Sequence, residues 1–346
     1  MLPLRRCPWR LSLLTITLAA MAIPAIPAMA AMPAMAAIDR TALEEAAQRT
    51  GALPRTHTLL MAVDGDTLIE RGWRGHDVDE TANIKSLSKV LISALVGAAI
   101  ARDVIQGVDQ PITDLLGDRV PAEAGPRVAD IQVGHLLSMQ AGLERTSGAN
   151  YGGWVASDNW VGNALSRPFV ADPGGRMLYS TGNSHLLSAA LTDASGRDTL
   201  TLMREWLGTP LEIAIPPWTR DPQGIYFGGN EMGLSPRALL KIGELYRQKG
   251  MYEGERVLPA EWIERSWQAR TRSHFNQDDY GYGWFITQLA DTAVYYGWGY
   301  GGQLLFVVPA HDATIVMTAD PTPPSNGSDY LDRAKAAATD LIEAID

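Results

Sequence analysis

Apolar and polar residues alternate with several different periods along the chain, and each change of period marks an element. "DRTALEEAAQRTG" (39–51) has helical spacing. "THTLLMAV", the turn residues Asp64 and Gly65, and "TLIERGW" then read as a β-hairpin. In "NIKSLSKVLISALVGAAIAR" (83–102), Leu87, Val90, Leu91, Ala94, Leu95 and Ala98 recur at helical intervals, which predicts a helix with one buried face. From about 103 to 224 turn-rich pieces such as "GVDQPITDLLG" alternate with short amphipathic stretches such as "DIQVGHLLSMQAGL" and "NSHLLSAALTDASG". Strand character returns in "GYGWFITQLA", "TAVYYGW", "GQLLFVVP" and "DATIVMTAD", a closely spaced antiparallel meander, and "SDYLDRAKAAATDLIEAID" closes the chain as a helix.

This order predicts an α/β (α+β) architecture in which strands from both chain ends share one antiparallel sheet flanked by helices. The α/β lobe takes about 37–102 and 225–346, an all-helical lobe of about 103–224 is inserted, and the whole of 37–346 forms a single domain. No internal repeat or long low-complexity linker interrupts it.

Composition narrows the function. Of 346 residues, 46% are hydrophobic, enough for a substantial core, and the formal net charge is -10 with no block of lysines or arginines. That balance argues against nucleic acid as a primary partner. The N-terminus reads as a cleaved export signal over 1–36: "MLPLRRCPWR" is basic, "LSLLTITLAAMAI" is too short to span a bilayer comfortably, and A-x-A sites end at Ala30 or Ala36. The competing reading is an uncleaved anchor. Cleavage predicts a periplasmic or secreted protein with no stable membrane anchor. The only cysteine, Cys7, lies in that segment without a lipobox before it, so the mature chain would carry no thiol, disulfide or Cys-ligated metal.

Three segments carry candidate chemistry. Ser86 opens the first strongly apolar helix, where free N–H groups and the positive helix end favour an attacking oxygen, and Lys89 lies one turn on, on the same face. Desolvated between helix and sheet, such a lysine titrates low enough to act as a base. Ser88 points the other way. The bland alternative is an N-cap serine and a surface lysine, because SxxK alone is a weak pattern. Tyr179, in "PGGRMLYSTGNSHLLSAAL", sits between a Pro-Gly turn and a helix, placed to relay protons or simply to bury its ring. "YYGWGYGGQLLFVVP" leads into a strand through glycines, suited either to an oxyanion N–H donor or to a β-bulge. HExxH, P-loop, strand-linked GxGxxG and GxSxG patterns are absent, and His57, His76, His135, His185, His274 and His311 are scattered.

Together these segments resemble the serine β-lactamase and penicillin-binding superfamily, in particular its class C-like branch of family VIII-type esterases and 6-aminohexanoate-dimer hydrolases. "IQVGHLLSMQAGL", "SDNWVGNALSRPFVADPGGRMLYSTGNSHLL", "GGNEMGLSPRALLKIGELYRQKG" and "YGYGW" extend the resemblance over most of the mature chain. It implies a β-lactamase/transpeptidase-like fold, with Ser86 as acylated nucleophile, Lys89 as general base and Tyr179 as second proton-transfer residue. The backbone N–H groups of Ser86 and Tyr300 would form the oxyanion hole. Trp298, Gly299, Asn183 and Trp160 are the candidate substrate contacts, with Tyr151 and Trp154 as further cleft walls. No cofactor or metal is implied.

The departures carry information too. In β-lactamases of this branch an asparagine stands two residues after the tyrosine, where this chain has Thr181, the next asparagine being Asn183. Their Lys-Thr-Gly motif is matched by Gly297-Trp298-Gly299 or, one frame on, Gly299-Tyr300-Gly301, so no lysine is available for a β-lactam carboxylate. The expectation is a serine hydrolase acting on a small-molecule carboxylic ester or amide. The alternatives are β-lactamase or D-alanyl-D-alanine carboxypeptidase action and, from another class, a catalytically silent binding protein.

Overall fold

The computed structural model describes residues 38–322 and 328–346; the expected signal 1–36, its cleavage sites and Cys7 lie outside the described residues. An eight-stranded sheet runs, edge to edge, Asp66–Gly72, Thr56–Val63, Ala313–Ala319, Gln303–Val308, Thr292–Gly299, Phe285–Leu289, Asp279–Tyr280 and Thr271–Arg272. Every pairing is antiparallel. The hairpin turns where expected, since Asp64 (φ 48°) and Gly65 (φ 86°) both take the positive φ of a tight hairpin turn. Its first strand pairs with the last of the sheet, Leu59 opposite Met317 and Met61 opposite Ile315, so both chain ends do build one sheet. The strands Thr271–Arg272 and Asp279–Tyr280 are too short to show a period and were not anticipated.

Helices cover both faces, and for that reason the central strands are apolar at nearly every position. Leu59 and Met61 join a cluster with Leu43 and Ala47 of helix Arg40–Gly51 and Leu331 and Leu341 of helix Asp329–Glu343. Leu60 and Ala62, on the other face, join Leu239 and Ile242 of helix Pro236–Arg247.

The helix after the hairpin differs from expectation in two ways. It runs Ser88–Ile100, and Ser88 through Ala99 are all buried, so no face is left to solvent. The cause is its position, packed between the sheet and helix Thr181–Ser195 of the inserted lobe. Ser86 is also not inside it: Lys85–Leu87 form a separate 3-10 turn just ahead. In the inserted segment only Thr181–Ser195 is long, and "DIQVGHLLSMQAGL" reduces to Val133–Leu137.

A two-residue strand pair, Ala82–Asn83 with Gly233–Leu234, sits beside the Ser86 turn. With the Ile84 N–H donating to the Met232 carbonyl at 2.9 Å, it ties that turn to the segment following Gly228 and Gly229.

Candidate active site

The chain enters the Ser86 turn through a strained residue. Lys85 has φ +51°, a region that disfavours side chains, and its N–H is held by Asn83 Oδ1 at 3.0 Å. Glu231 anchors both, accepting from Asn83 Nδ2 at 2.7 Å and Lys85 Nζ at 3.1 Å. The turn is closed by Leu87 N–H to the Ile84 carbonyl and Ser88 N–H to the Lys85 carbonyl, a pattern that skips the Ser86 N–H. Ser88 does the capping instead, its hydroxyl donating to the Lys85 carbonyl at 2.7 Å. Ser86 is thereby left half-buried with its own side chain turned to Lys89.

Lys89 is the electrostatic centre of the site. It is 3% exposed, and its Nζ lies 3.0 Å from Ser86 Oγ, 2.7 Å from the Gly229 carbonyl and 3.5 Å from Thr181 Oγ1. Among the described residues no carboxylate pairs with it, so burial alone lowers its pKa to about 7. An amine that titrates near neutrality can donate to Ser86 when charged and accept the same proton when neutral. The Tyr179 ring centroid is 5.1 Å from the amine. Burial pushes the Tyr179 phenol up to about 12, partly opposed by its hydrogen bond with Ser86. Two groups able to exchange protons, Lys89 and Tyr179, therefore meet at the Ser86 hydroxyl.

Around them lie residues that sequence reasoning missed. Thr181, not Asn183, meets Lys89, and the loop at 146–147 holds it there: Ser147 Oγ accepts from the Thr181 N–H at 2.9 Å, and Thr146 Oγ1 from the Gly182 N–H at 2.8 Å. These hydroxyls satisfy the first N–H groups of helix Thr181–Ser195. Gly229 has φ +90°, and a Cβ there would lie 2.9 Å from Lys89 Cγ, so only glycine lets the carbonyl reach the amine. Its turn is fixed from behind by a fully buried pair: His185 Nε2 lies 2.9 Å from Asp221 Oδ2, and His185 Nδ1 accepts from the Gly228 N–H at 3.3 Å. The adjacent glycines in "GGN" were the only sequence signal of this approach. His185→Ala is expected to lower stability by about 2 kcal/mol, since Asp221 Oδ2 would stay buried without its donor while Oδ1 keeps the Gln223 and Ile225 N–H groups. Denaturant unfolding checks this, and a change under about 0.5 kcal/mol would show that the pair does not brace the turn.

The remaining candidates divide. Gly297 and Gly299 face the Ser86 turn, where a Cβ on Gly297 would collide with Leu87 and one on Gly299 with the Ile84 carbonyl. The strand Thr292–Gly299 ends at that point, and Tyr300 follows in the turn, 47% exposed. Trp298 lies on the opposite face of its strand and packs on Phe285 (5.9 Å between centroids), which also stacks with Tyr179 at 6.4 Å. Asn183 is buried at 4% exposure, its Nδ2 has no hydrogen-bond partner among the described residues, and it makes no hydrogen bond to Lys89. Trp160 is likewise no cleft wall. It is 5% exposed, packed with Trp154, His185 and Phe227, its indole N–H satisfied by the Val155 carbonyl. Trp154, fully buried, belongs to the same cluster. Tyr151 is half-buried, its hydroxyl accepting from Asn230 at 2.7 Å.

Solved structures share this fold. A protein from Bacillus anthracis named as a candidate 6-aminohexanoate-dimer hydrolase superposes with TM-score 0.69 at 16% identity, over 87% of this chain and 81% of that one. EstCE1, a hydrolase with promiscuous acyltransferase activity, gives 0.70 at 17% identity over 88% and 99%. A class C beta-lactamase from Rhodobacter sphaeroides gives 0.66 at 15% identity over 89% and 99%. Comparison with curated proteins finds no match. The family model described as Beta-lactamase matches residues 40–339, a span that takes in the Ser86 turn, the inserted lobe and the closing strands, and the chain belongs to the beta-lactamase family.

Proposed function

We propose that the protein is a serine hydrolase that cleaves a small-molecule carboxylic ester or amide through an acyl-enzyme on Ser86. The observation that carries this reading is the buried Lys89 amine, titrating near 7, at 3.0 Å from Ser86 Oγ. Neutral Lys89 takes the Ser86 proton as Oγ attacks the carbonyl carbon. The resulting oxyanion is held by the N–H groups of Ser86 and Tyr300, the first left out of its turn's hydrogen bonds and the second just beyond the strand end. Collapse breaks the bond to the leaving group, which receives the proton from Lys89 through the Tyr179 hydroxyl. Water then attacks the acyl carbon by the reverse relay, and both protons and electrons balance with these groups alone.

The hydrolase class agrees with the family and with the activities named for its structural neighbours. Esters and ordinary amides are preferred over β-lactams, because in either register of the third motif, Gly297-Trp298-Gly299 or Gly299-Tyr300-Gly301, no lysine stands there to hold a β-lactam carboxylate. Work in the periplasm or the medium is part of the proposal and rests on the signal-like pattern of residues 1–36.

The test is intact-mass analysis after exposure to a panel of esters, amides and β-lactams. An acyl adduct on the wild-type protein that is absent from Ser86→Ala supports the reading. Adducts of equal yield on both, or none with a fluorophosphonate probe, would favour a catalytically silent protein.

A further inference from the structure

At the segment that leads into Tyr179 lies a cavity of about 530 Å³ that the proposed chemistry does not use. Its walls include Arg145, Arg176, Arg272 and His274, with Met177 and Leu178 at its base. These last two residues lead directly into Tyr179, and Phe275, next to His274, packs edge-on against the Tyr179 ring at 6.0 Å between centroids. Two chain neighbours of the cavity wall, Tyr179 after Leu178 and Phe275 after His274, thus meet ring to ring between the cavity and the site.

Its charge is unusual for this chain. The net charge is -10, and several arginines elsewhere are neutralised by carboxylates, Arg237 by Glu70 and Asp79, Arg71 by Glu44. Among the described residues no carboxylate pairs with the guanidinium of Arg145, Arg176 or Arg272; their recorded side-chain hydrogen bonds are those of Arg176 to the Val170 carbonyl at 3.4 Å and of Arg272 to the Gln277 carbonyl at 2.7 Å. The one carboxylate in the wall, Glu144, is engaged by Arg167 at 3.0 Å. His274 shows the result: burial lowers its pKa, and the charges of Arg145 and Arg176 lower it further. The loop supplying Arg272, His274 and Phe275 is also anchored. Asn276 donates to Tyr296 Oη at 2.7 Å, and Asp278 pairs with Lys335 and Tyr296 in a largely buried cluster.

We propose that this cavity binds a carboxylate carried by the leaving group of the substrate, so that the enzyme prefers esters or amides whose alcohol or amine fragment is anionic. The inference rests on the Ser86 reading above, since it is Tyr179 that defines the leaving-group side. Guanidinium forks match the two oxygens of a carboxylate, and the exposed Phe275 and Val170, each 45% exposed, offer an apolar surface for the segment joining it to the scissile bond. The anion would be recognised here, on the inserted lobe and the Thr271–Arg272 edge, in place of the third-motif lysine the chain lacks.

Two substrates that differ only in the leaving group, phenyl butyrate and 3-carboxyphenyl butyrate, test this at low ionic strength. The wild-type protein should favour the carboxylate ester in kcat/KM by about tenfold or more. Arg145→Gln, Arg176→Gln and Arg272→Gln, alone and combined, should abolish that preference, mainly through KM, with phenyl butyrate turnover unchanged. Equal use of both esters by the wild type, or a preference that survives the triple substitution, overturns the proposal. Calorimetric titration of Ser86→Ala with 3-hydroxybenzoate, the leaving group itself, separates this outcome from failure of the catalytic reading. Binding that is lost with the arginines supports the site even if neither ester is turned over, and no binding refutes it.

Discussion

Ser86→Ala is expected to lower kcat/KM toward a chromogenic short-chain ester at least about ten-thousandfold, the scale seen when an acylated nucleophile is removed. Nothing else near Lys89 can replace it. Thr181 Oγ1 is 3.5 Å from the amine but is buried and engaged with Ser147, and Ser88 donates to the Lys85 carbonyl on another side of the turn. The fold should tolerate the change. The substitution deletes one half-buried hydroxyl, and Lys89 keeps its 2.7 Å hydrogen bond to the Gly229 carbonyl. A stability change within about 1 kcal/mol is therefore expected. Initial rates with 4-nitrophenyl butyrate, together with thermal denaturation, measure both quantities. Turnover within tenfold of the wild type would remove Ser86 from the mechanism.

Lys89 has the second largest effect, and the sign of its contribution to stability is opposite to that of its contribution to rate. Lys89→Met should cost at least about a hundredfold in acylation, the lower end of a general-base effect. Lys89→Arg should be no better, since a guanidinium stays protonated and cannot take the serine proton. Because the base must be neutral, wild-type activity should rise with pH through about 7, the value to which burial lowers this amine. Stability follows the same group. A folded-state pKa below the unfolded one means that the unfolded chain binds the extra proton between about 7 and the ordinary lysine value, so stability rises with pH across that window and is level on either side of it. Lys89→Met should lack that rise and be more stable than the wild type at neutral pH, having no buried amine to desolvate. An acidic limb well away from 7, or a methionine variant that is less stable, would contradict the assignment of Lys89 as a desolvated base.

How far the architecture could be read in advance depended on the range of each signal. The hairpin was legible because Asp64-Gly65 between two strand-like runs is a local instruction, set by backbone conformations available at those two positions. The apolar runs of Gln303–Val308 and Ala313–Ala319 announced buried strands, and the helical period after Ser86 announced the helix. What surrounded that helix was not legible. A residue count per turn shows which positions align on a face, but not that a second lobe will cover the remaining ones.

The site divides along the same line. Ser86 and Lys89 are brought together by spacing alone, since residues three apart at a helical turn lie on one side, and their 3.0 Å contact is a local consequence of sequence. The aromatic candidates show the limit. A tryptophan has the same letter whether it lines a cleft or fills a core, and Trp160 filled the core beside Trp154 and Phe227. Asn183 was named from its type, whereas the helix direction gave the place beside Lys89 to Thr181.

The sequence by itself determined the strand runs that both chain ends contribute to one sheet, the turn of the hairpin, the serine–lysine pair and the tyrosine that follows a Pro-Gly turn, because each is set within a few residues or by an apolar period. Only the tertiary structure decided the chemistry available to them. Lys89 titrates near 7 because the sheet, the helix Thr181–Ser195 and the Gly228–Gly229 turn exclude water from it without supplying a carboxylate. Arg145, Arg176 and Arg272 share one cavity because three distant segments fold to the same place. Desolvation and charge clustering are properties of what packs around a residue in space, and the physical forces behind both act across distances that local spacing does not encode.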